Sequence, residues 1–432
     1  MGDPSKKKAW FGWCMYDWAN SAFATVVLAS VLPVYFVSLV PAEGARLSLL
    51  GLTHTLSASA LWGYGVSSSM LLVALFAPYF GALADQSGSR RFWLILFSLG
   101  GSTATSLLVL AGPGRYLLAI ALFIVANFSF ASGNVFYNSF LPYLAEEKEL
   151  DRLSARGFAF GYGGGGLALL LVFALIQGHD LIGLPDISTA TRAGFLATGL
   201  WWGVFALPAF VLLQEIRPTE TALMPAGFHG YLRIFAEVRP YRDLLVFLAA
   251  FLFYNDGIQT IIVVAAIFAR EELGLSQTNI LACFLMIQFV AMPGTLFFGK
   301  VAEVAGRKKT LAVTLVLFIG VTFYAYFIRE AWQFWLLSVV VALIFGGSQA
   351  ISRSLFGALI PPGKSARFFG FYAISSKFAS IFGPLIFALI ADLTGSARLS
   401  ILALATFFVI GLLLLSRVDV TRGKAAAKGG LP

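Results

Sequence analysis

The sequence predicts an all-α polytopic membrane protein of twelve transmembrane helices in two six-helix bundles, with both termini cytoplasmic. Three observations predict it. Apolar residues fall into blocks of roughly 20, each long enough to cross a hydrocarbon core about 30 Å thick. Lysine and arginine collect in alternate loops. A loop motif recurs at almost half the chain length, as expected of two bundles in parallel orientation. The chain has 432 residues, 59% hydrophobic and only 12% charged, against about 25% charged in soluble domains. The longest polar stretch runs from Gln214 to Asp243, too short for a soluble enzyme domain.

In the first half the expected spans are 13–40, 61–84, 92–111, 116–144, 157–177 and 193–213. In the second half they are 244–268, 278–299, 310–328, 332–360, 368–392 and 397–416. The first bundle is thus expected within 1–213 and the second, with a short tail, within 244–432. The linker 214–243, with GFHGYLRIFAEVRPYRDLL, reads as a basic amphipathic helix lying on the membrane surface. One set of loops, including both termini, holds 22 of the 30 Lys and Arg residues, and the opposite set holds six. The positive-inside rule therefore puts both termini in the cytoplasm, as an even span count requires.

Other classes are excluded by where residues fall. The net charge of +9 sits in alternate loops, which marks orientation rather than nucleic-acid binding. Cys14 and Cys283 lie in different spans, and His54, His179 and His229 fall in or near loops. No disulfide framework, metal site or cofactor is implied. The start resembles a signal peptide, with Ala22-Phe23-Ala24 in the cleavage pattern, but Asp17 and Asn20 interrupt its apolar core. It reads as an uncleaved first span.

The repeated motif is GALADQSGSRR at 81–91 and GKVAEVAGRKK at 299–309, both fitting G-x-[LV]-A-[DE]-x-x-G-x-[RK]-[RK] at an offset of 218 residues. Segments after spans four and ten, NSFLPYLAEEKELDRLSARG from Asn138 and RSLFGALIPPGKSARFFG from Arg353, lie at similar spacing. One copy alone reads equally well as a tight, positively charged turn. Two copies at corresponding places point to a switch: an acid at a helix end pairs with bases or with a neighbouring helix's positive end. The gating candidates are Gly81, Asp85, Gly88, Arg90 and Arg91 in the first copy, and Gly299, Glu303, Gly306 and Lys308 in the second.

These loops resemble the cytoplasmic signature of the major facilitator superfamily, G-x-L-A-D-R-x-G-R-R, with Gln86 and Ser89 replacing basic residues and Glu303 replacing the acid. YDWANSAF with PVYF, NSFLPYLA, GFAFGYGGG and FYNDGIQTI resemble its vacuole-effluxer-like branch, and the compact length suits a prokaryotic member. The resemblance implies a major facilitator fold in which spans 1, 4, 7 and 10 line a central cavity. Fungal members of the branch are linked to amino-acid export from the vacuole.

Polar residues concentrate on those spans. Span 1 carries Asp17, Asn20 and Ser21 on one face. Span 4 carries Asn127, Asn134 and Asn138; span 7 carries Asn255, Asp256, Gln259 and Thr260; span 10 carries Gln349 and Arg353. Expected solute contacts are Asn20, Asn134, Asn138, Asn255, Gln259, Gln349 and Arg353. An intramembrane charge is costly and functional by default. Asp256, and secondarily Asp17, is the candidate to bind a proton or an amine. Arg353 or Lys377 would hold a solute carboxylate or pair with Asp17 as an inner gate. The alternatives are static pairs among the four or, for Asp17, interfacial water among Trp10, Trp13 and Trp18. Gly157, Gly161 and Gly165 form a small-residue stripe for close helix packing.

The expected activity is alternating-access secondary transport by a monomer in a bacterial cytoplasmic membrane, with a small solute and protons as partners and no enzymatic chemistry. Proton-coupled export of amino acids or related metabolites is implied by the resemblance alone. Transport of an amphiphile such as a lipid or drug, in either direction, or a non-transporting membrane sensor, remains the competing expectation.

Overall fold

A computed structural model describes residues 4–49, 52–216, 236–378, 382–394 and 396–429. Among these the chain is nearly all helical, because apolar blocks this long satisfy their backbone polar groups internally. The first span is α1 (Pro4–Ala22), a π-helical segment (Phe23–Ser30) and α2 (Val31–Leu39). A hairpin follows, with β1 (Ala45–Leu49) antiparallel to β2 (Leu52–Leu56) and Ala45 opposite Leu56. Then come α3 (Ala58–Ser87), α4 (Arg90–Leu107), α5 (Tyr116–Ser139), the short α6 (Leu141–Leu144), α7 (Leu150–Gln177), α8 (Ile187–Phe205) and α9 (Leu207–Leu212). The second half has α10 (Arg242–Glu271), α11 (Gln277–Ala305), α12 (Arg307–Phe327), α13 (Ala331–Leu359), α14 (Ser365–Phe378), α15 (Phe382–Thr394), α16 (Ala397–Ala403), α17 (Ala405–Ser416) and α18 (Val420–Ala427).

Eleven helical segments among the described residues are long and apolar enough to cross a membrane. The expected eleventh span, 368–392, runs over residues 379–381 and so lies partly outside the described residues; α14 and α15 flank them. The amphipathic helix expected in the linker also falls largely outside the described residues. The hairpin occupies a stretch read from sequence as a loop. Its first strand is joined to the start of α5 where the Arg46 N–H donates to the Tyr116 hydroxyl, 3.1 Å.

Helix starts and stops follow local chemistry. Asp186 caps α8 by accepting the Thr189 N–H at 2.6 Å, and that bond holds its carboxyl below the usual carboxylate range. Ser276 caps α11 through the Asn279 N–H at 3.3 Å. Gly88 (φ 68°) and Gly306 (φ 92°) turn the chain after α3 and α11 with backbone angles that disfavour other residues.

The chain divides into two compact units. The first comprises Met1–Phe76, Ser89–Tyr137 and Phe160–Glu215. The second comprises Ala77–Gly88, Asn138–Ala159 and Ile216–Pro432. The first half of the sequence therefore contributes the motif-bearing end of α3 and the stretch from α6 into α7 to the second unit.

Candidate functional site

In the first unit the polar face of α1 meets α5. Asn20 donates to the Asn134 side-chain oxygen at 2.8 Å, and the Tyr137 hydroxyl donates to Asp17 Oδ2 at 2.9 Å. Tyr137 stacks between Trp13 and Tyr16, with ring centroids 4.3 and 5.1 Å away. Asp17 and Asn20 are both buried. Deeper in α5, Asn127 donates to Ser69 Oγ at 2.8 Å. The glycine run of α7 permits this arrangement. A Cβ on Gly161 would lie 2.7 Å from Ser21 Oγ and 3.3 Å from Asp17 Oδ1, and one on Gly165 would lie 2.5 Å from Thr25 Oγ1. The small side chains let α7 lie directly on the polar stretch of α1.

The second unit holds the other carboxylate. Asp256, midway along α10, is 1% exposed. Its Oδ2 accepts the Gly383 N–H at 2.9 Å at the start of α15, while its Oδ1 is buried with no partner among the described residues. Glycine is needed opposite: an added Cβ at Gly383 would collide with Thr260 Oγ1 and lie 2.9 Å from Asp256 Oδ1. Beside it, Gln349 donates to Asn255 Oδ1 at 2.9 Å, and Asn255 Nδ2 reaches the Ser376 carbonyl at 3.5 Å. Gln259 is half-buried on the same helix. Lys377 lies in α14, but its side chain falls outside the described residues.

Arg353 is buried and held on several sides. Its Nε donates to Ser154 Oγ at 2.9 Å, one terminal nitrogen to the Ser154 carbonyl at 2.7 Å, and the other to Asn138 Oδ1 at 3.2 Å. The guanidinium lies 4.1 Å from the Phe158 ring centroid, a cation–π contact. Asp17 and Arg353 fall in different units, each with partners in its own.

The first motif copy works as a helix cap. Asp85 Oδ1 accepts the Ala366 N–H at 3.0 Å and Oδ2 the Arg367 N–H at 2.9 Å, at the start of α14. A carboxylate there satisfies free backbone donors and meets the positive end of the helix. Arg367 Nε lies 3.5 Å from Asp85 Oδ2, and its guanidinium also binds Glu237. Gly81 makes the approach possible, since a Cβ would stand 2.5 Å from the Ala366 carbonyl oxygen. Arg90 is buried, and the N–H groups of Arg91 and Phe92 donate to the Glu215 carboxylate at 3.0 Å each, capping α4.

The second copy uses the same backbone with other side chains. Gly299 packs against Ala155 near the start of α7. Its acid, Glu303, pairs with Lys300 at 3.3 Å and with no other cation among the described residues. The ion pair comes instead from Arg307, whose Nε lies 2.8 and 2.9 Å from the two oxygens of buried Asp151 on α7. Ser354 Oγ adds a 2.5 Å bond to Asp151, and Arg307 also donates to the Glu147 carbonyl. Lys308 Nζ donates to the Ser416 and Val418 carbonyls at 2.8 and 2.7 Å, a cation on the C-terminal end of α17.

Sequence reasoning missed Asp151, Ser154, Arg307, Ser354, Arg367 and Glu237. A signal for two of them existed: Asp151 and Arg367 are charged residues inside the two segments that recur after spans four and ten, one acidic and one basic. Arg307 lay inside the repeat, at the position that the first copy fills with Ser89.

The chain matches the family described as vacuole effluxer Atg22 like over residues 5–428. Among similar proteins is the uncharacterized MFS-type transporter YxiO of Bacillus subtilis, 34% identical over 94% of this chain and 94% of that one. Autophagy-related protein 22 of Coccidioides immitis is 27% identical over 98% of this chain and 89% of its own length. The fold is similar to the human organic anion transporter MFSD10, with a TM-score of 0.72 at 16% identity, covering 96% of this chain and 100% of that one. It is also similar to the major facilitator superfamily transporter FucP in its outward conformation, with a TM-score of 0.67 at 14% identity and coverage of 96% and 98%.

Proposed function

The chain belongs to the vacuole effluxer Atg22-like family, and on that premise we propose that it exports a small polar organic solute, amino acids or related metabolites, in exchange for protons. It is a multi-pass membrane protein with the major facilitator fold and a secondary transporter, not an enzyme. The finer reading is twelve spans in two bundles, 1–213 and 244–432, with cytoplasmic termini, working as a monomer by alternating access in a bacterial cytoplasmic membrane. Polar side chains of spans 1, 4, 7 and 10 are the proposed solute contacts.

Asp256 carries the coupling part of this proposal. One of its oxygens is occupied by the Gly383 N–H, and the other is buried and open among the described residues. That leaves one acceptor for a proton or an amine, on a helix interrupted by no other acid between Asp243 and Glu271. Asp17 is the secondary carrier, since Tyr137 already donates to it.

Proteoliposomes test both parts. Labelled amino acids should accumulate against their gradient when a pH gradient of the right sign is imposed. Asp256→Asn should abolish that accumulation while exchange of labelled for unlabelled solute continues. If Asp256→Asn and Asp17→Asn both still accumulate solute, neither carboxylate carries the proton. If no amino acid moves under either sign of gradient, the solute class is wrong, and metabolite profiling of cells with and without the protein identifies the replacement.

A further inference from the structure

A cavity of about 920 Å³ opens beside the second motif copy, where the end of α11, the start of α12, the end of α17 and the turn before α7 meet. Its carboxylates are occupied. Asp151 holds Arg307, Glu147 holds Lys424, Glu303 holds Lys300 and Glu146 faces Lys148 at 3.2 Å. Asp419 caps α18 through the Arg422 N–H at 3.0 Å. Of the lining cations, Lys308 is spent on the carbonyls of Ser416 and Val418. Lys309 and Arg417 are exposed and have no carboxylate or carbonyl partner among the described residues. Lys309 and Arg417 are therefore the lining cations that no described carboxylate or carbonyl engages, with the Asp419 carboxylate, bound to a backbone N–H alone, two residues from Arg417.

Each of those cations stands above an exposed apolar stripe. On α12, Val313, Val316 and Leu317 follow Lys309 at i+4, i+7 and i+8, and are 53%, 54% and 40% exposed. On α17, Leu413 and Val409 precede Arg417 by four and eight residues and are likewise exposed. Those spacings keep each cation on the same helix face as its stripe. The two helices are neighbours: Phe318 and Phe408 stack with centroids 5.1 Å apart, and Lys308 ties the start of α12 to the end of α17. Two exposed apolar stripes on neighbouring helices thus end in two cations that line one cavity.

We propose that this cavity binds one anionic phospholipid, its phosphate between Lys309 and Arg417 and its acyl chains along the α12 and α17 stripes. Apolar faces demand the chains, and the two charges demand a net negative headgroup over a zwitterionic one. The inference rests on the membrane-spanning fold and not on the solute or the direction of transport. Because Lys308 and Arg307 share the cavity, a bound headgroup would sit against the Arg307–Asp151 pair.

Native mass spectrometry of the full-length protein in detergent, supplied with equal amounts of phosphatidylglycerol and phosphatidylcholine, tests it. The wild type should retain phosphatidylglycerol in preference, by about fivefold per engaged cation. Lys309→Gln/Arg417→Gln should bring the two lipids close to parity. Lys7→Gln/Lys8→Gln, which removes the same charge from exposed positions outside the cavity, should keep the wild-type preference. The proposal is overturned if the Lys309/Arg417 variant keeps the preference, or if the Lys7/Lys8 variant loses as much. Millimolar inorganic phosphate should leave phosphatidylglycerol in place. Displacement by it would mean that the cavity takes free phosphate, and the lipid would be the wrong occupant.

Discussion

The two copies of the G-x-[LV]-A-[DE]-x-x-G motif share a backbone and divide their charges in opposite ways. In both, the leading glycine lets a helix pack on the start of another, Gly81 on α14 and Gly299 on α7, and the second glycine turns the chain at positive φ. In the first copy the motif supplies the acid, Asp85, and the partner helix supplies the base, Arg367. In the second copy the motif supplies the base, Arg307, and the partner helix supplies the acid, Asp151. A repeat therefore preserves the steric scaffold, where only glycine fits, while a pair of opposite charges is free to exchange sides.

The comparison is tested most severely at Arg307. Arg307→Ala leaves Asp151 buried with only Ser354 as a described side-chain partner, and breaking a buried pair from one side costs about 3–5 kcal/mol. A large fall in the thermal midpoint, followed by fluorescence of the nine tryptophans, is expected. An unchanged midpoint would mean that the second copy has no latch.

Asp85→Asn comes next. The amide keeps one acceptor for the Ala366 and Arg367 N–H groups but turns a donor toward the other, and it leaves Arg367 with Glu237. The expected loss is about 1–3 kcal/mol, the cost of leaving a buried donor unsatisfied. A result below that of Glu303→Gln would reverse the assignment of acids between the copies.

Backbone geometry gives a similar-sized test of what the copies share. At φ 92° and ψ 141°, Gly306 occupies a region closed to side chains, and Gly306→Ala should cost about 1–3 kcal/mol. Gly88→Ala should also destabilise, since its φ of 68° lies in the left-handed region. Equal tolerance of alanine at both positions in thermal unfolding would remove the shared scaffold from the comparison.

How far the sequence foretold this follows from what kind of interaction each residue makes. Apolar blocks and glycine spacing act locally, so the helices, the turn at Gly88 and its repeat at Gly306 were readable. Asn20, Asn134, Asn255 and Gln349 stand out in the sequence as polar residues on largely apolar spans, whereas their pairing, Asn20 with Asn134 and Gln349 with Asn255, is set by tertiary packing. The pairing of Arg307 with Asp151, 156 residues apart, is set by tertiary packing, and the motif's own acid pointed to the wrong carboxylate. The π-helical stretch Phe23–Ser30 contains neither glycine nor proline, so no residue type marks it. The hairpin at Ala45–Leu56 was hidden by its length, too short to stand out beside the spans.

The smallest expected effect discriminates best. Glu303 occupies the motif's acid position, and a reading from sequence alone makes it the equal of Asp85. Its partner in the structure is Lys300, three residues earlier on the same helix and 74% exposed. Pairs of that kind contribute about 0–1 kcal/mol, because water screens them and both side chains lose freedom. Glu303→Gln should therefore leave the thermal midpoint almost where it was, while Asp85→Asn lowers it. In the double variant Glu303→Gln/Arg307→Ala, the loss should equal that of Arg307→Ala alone, because Glu303 takes no part in the Asp151 pair. A Glu303→Gln variant that lowers the midpoint in the wild type but adds nothing to Arg307→Ala would show that Glu303 supports Arg307 after all, and the two copies would be alike in charge as well as in backbone.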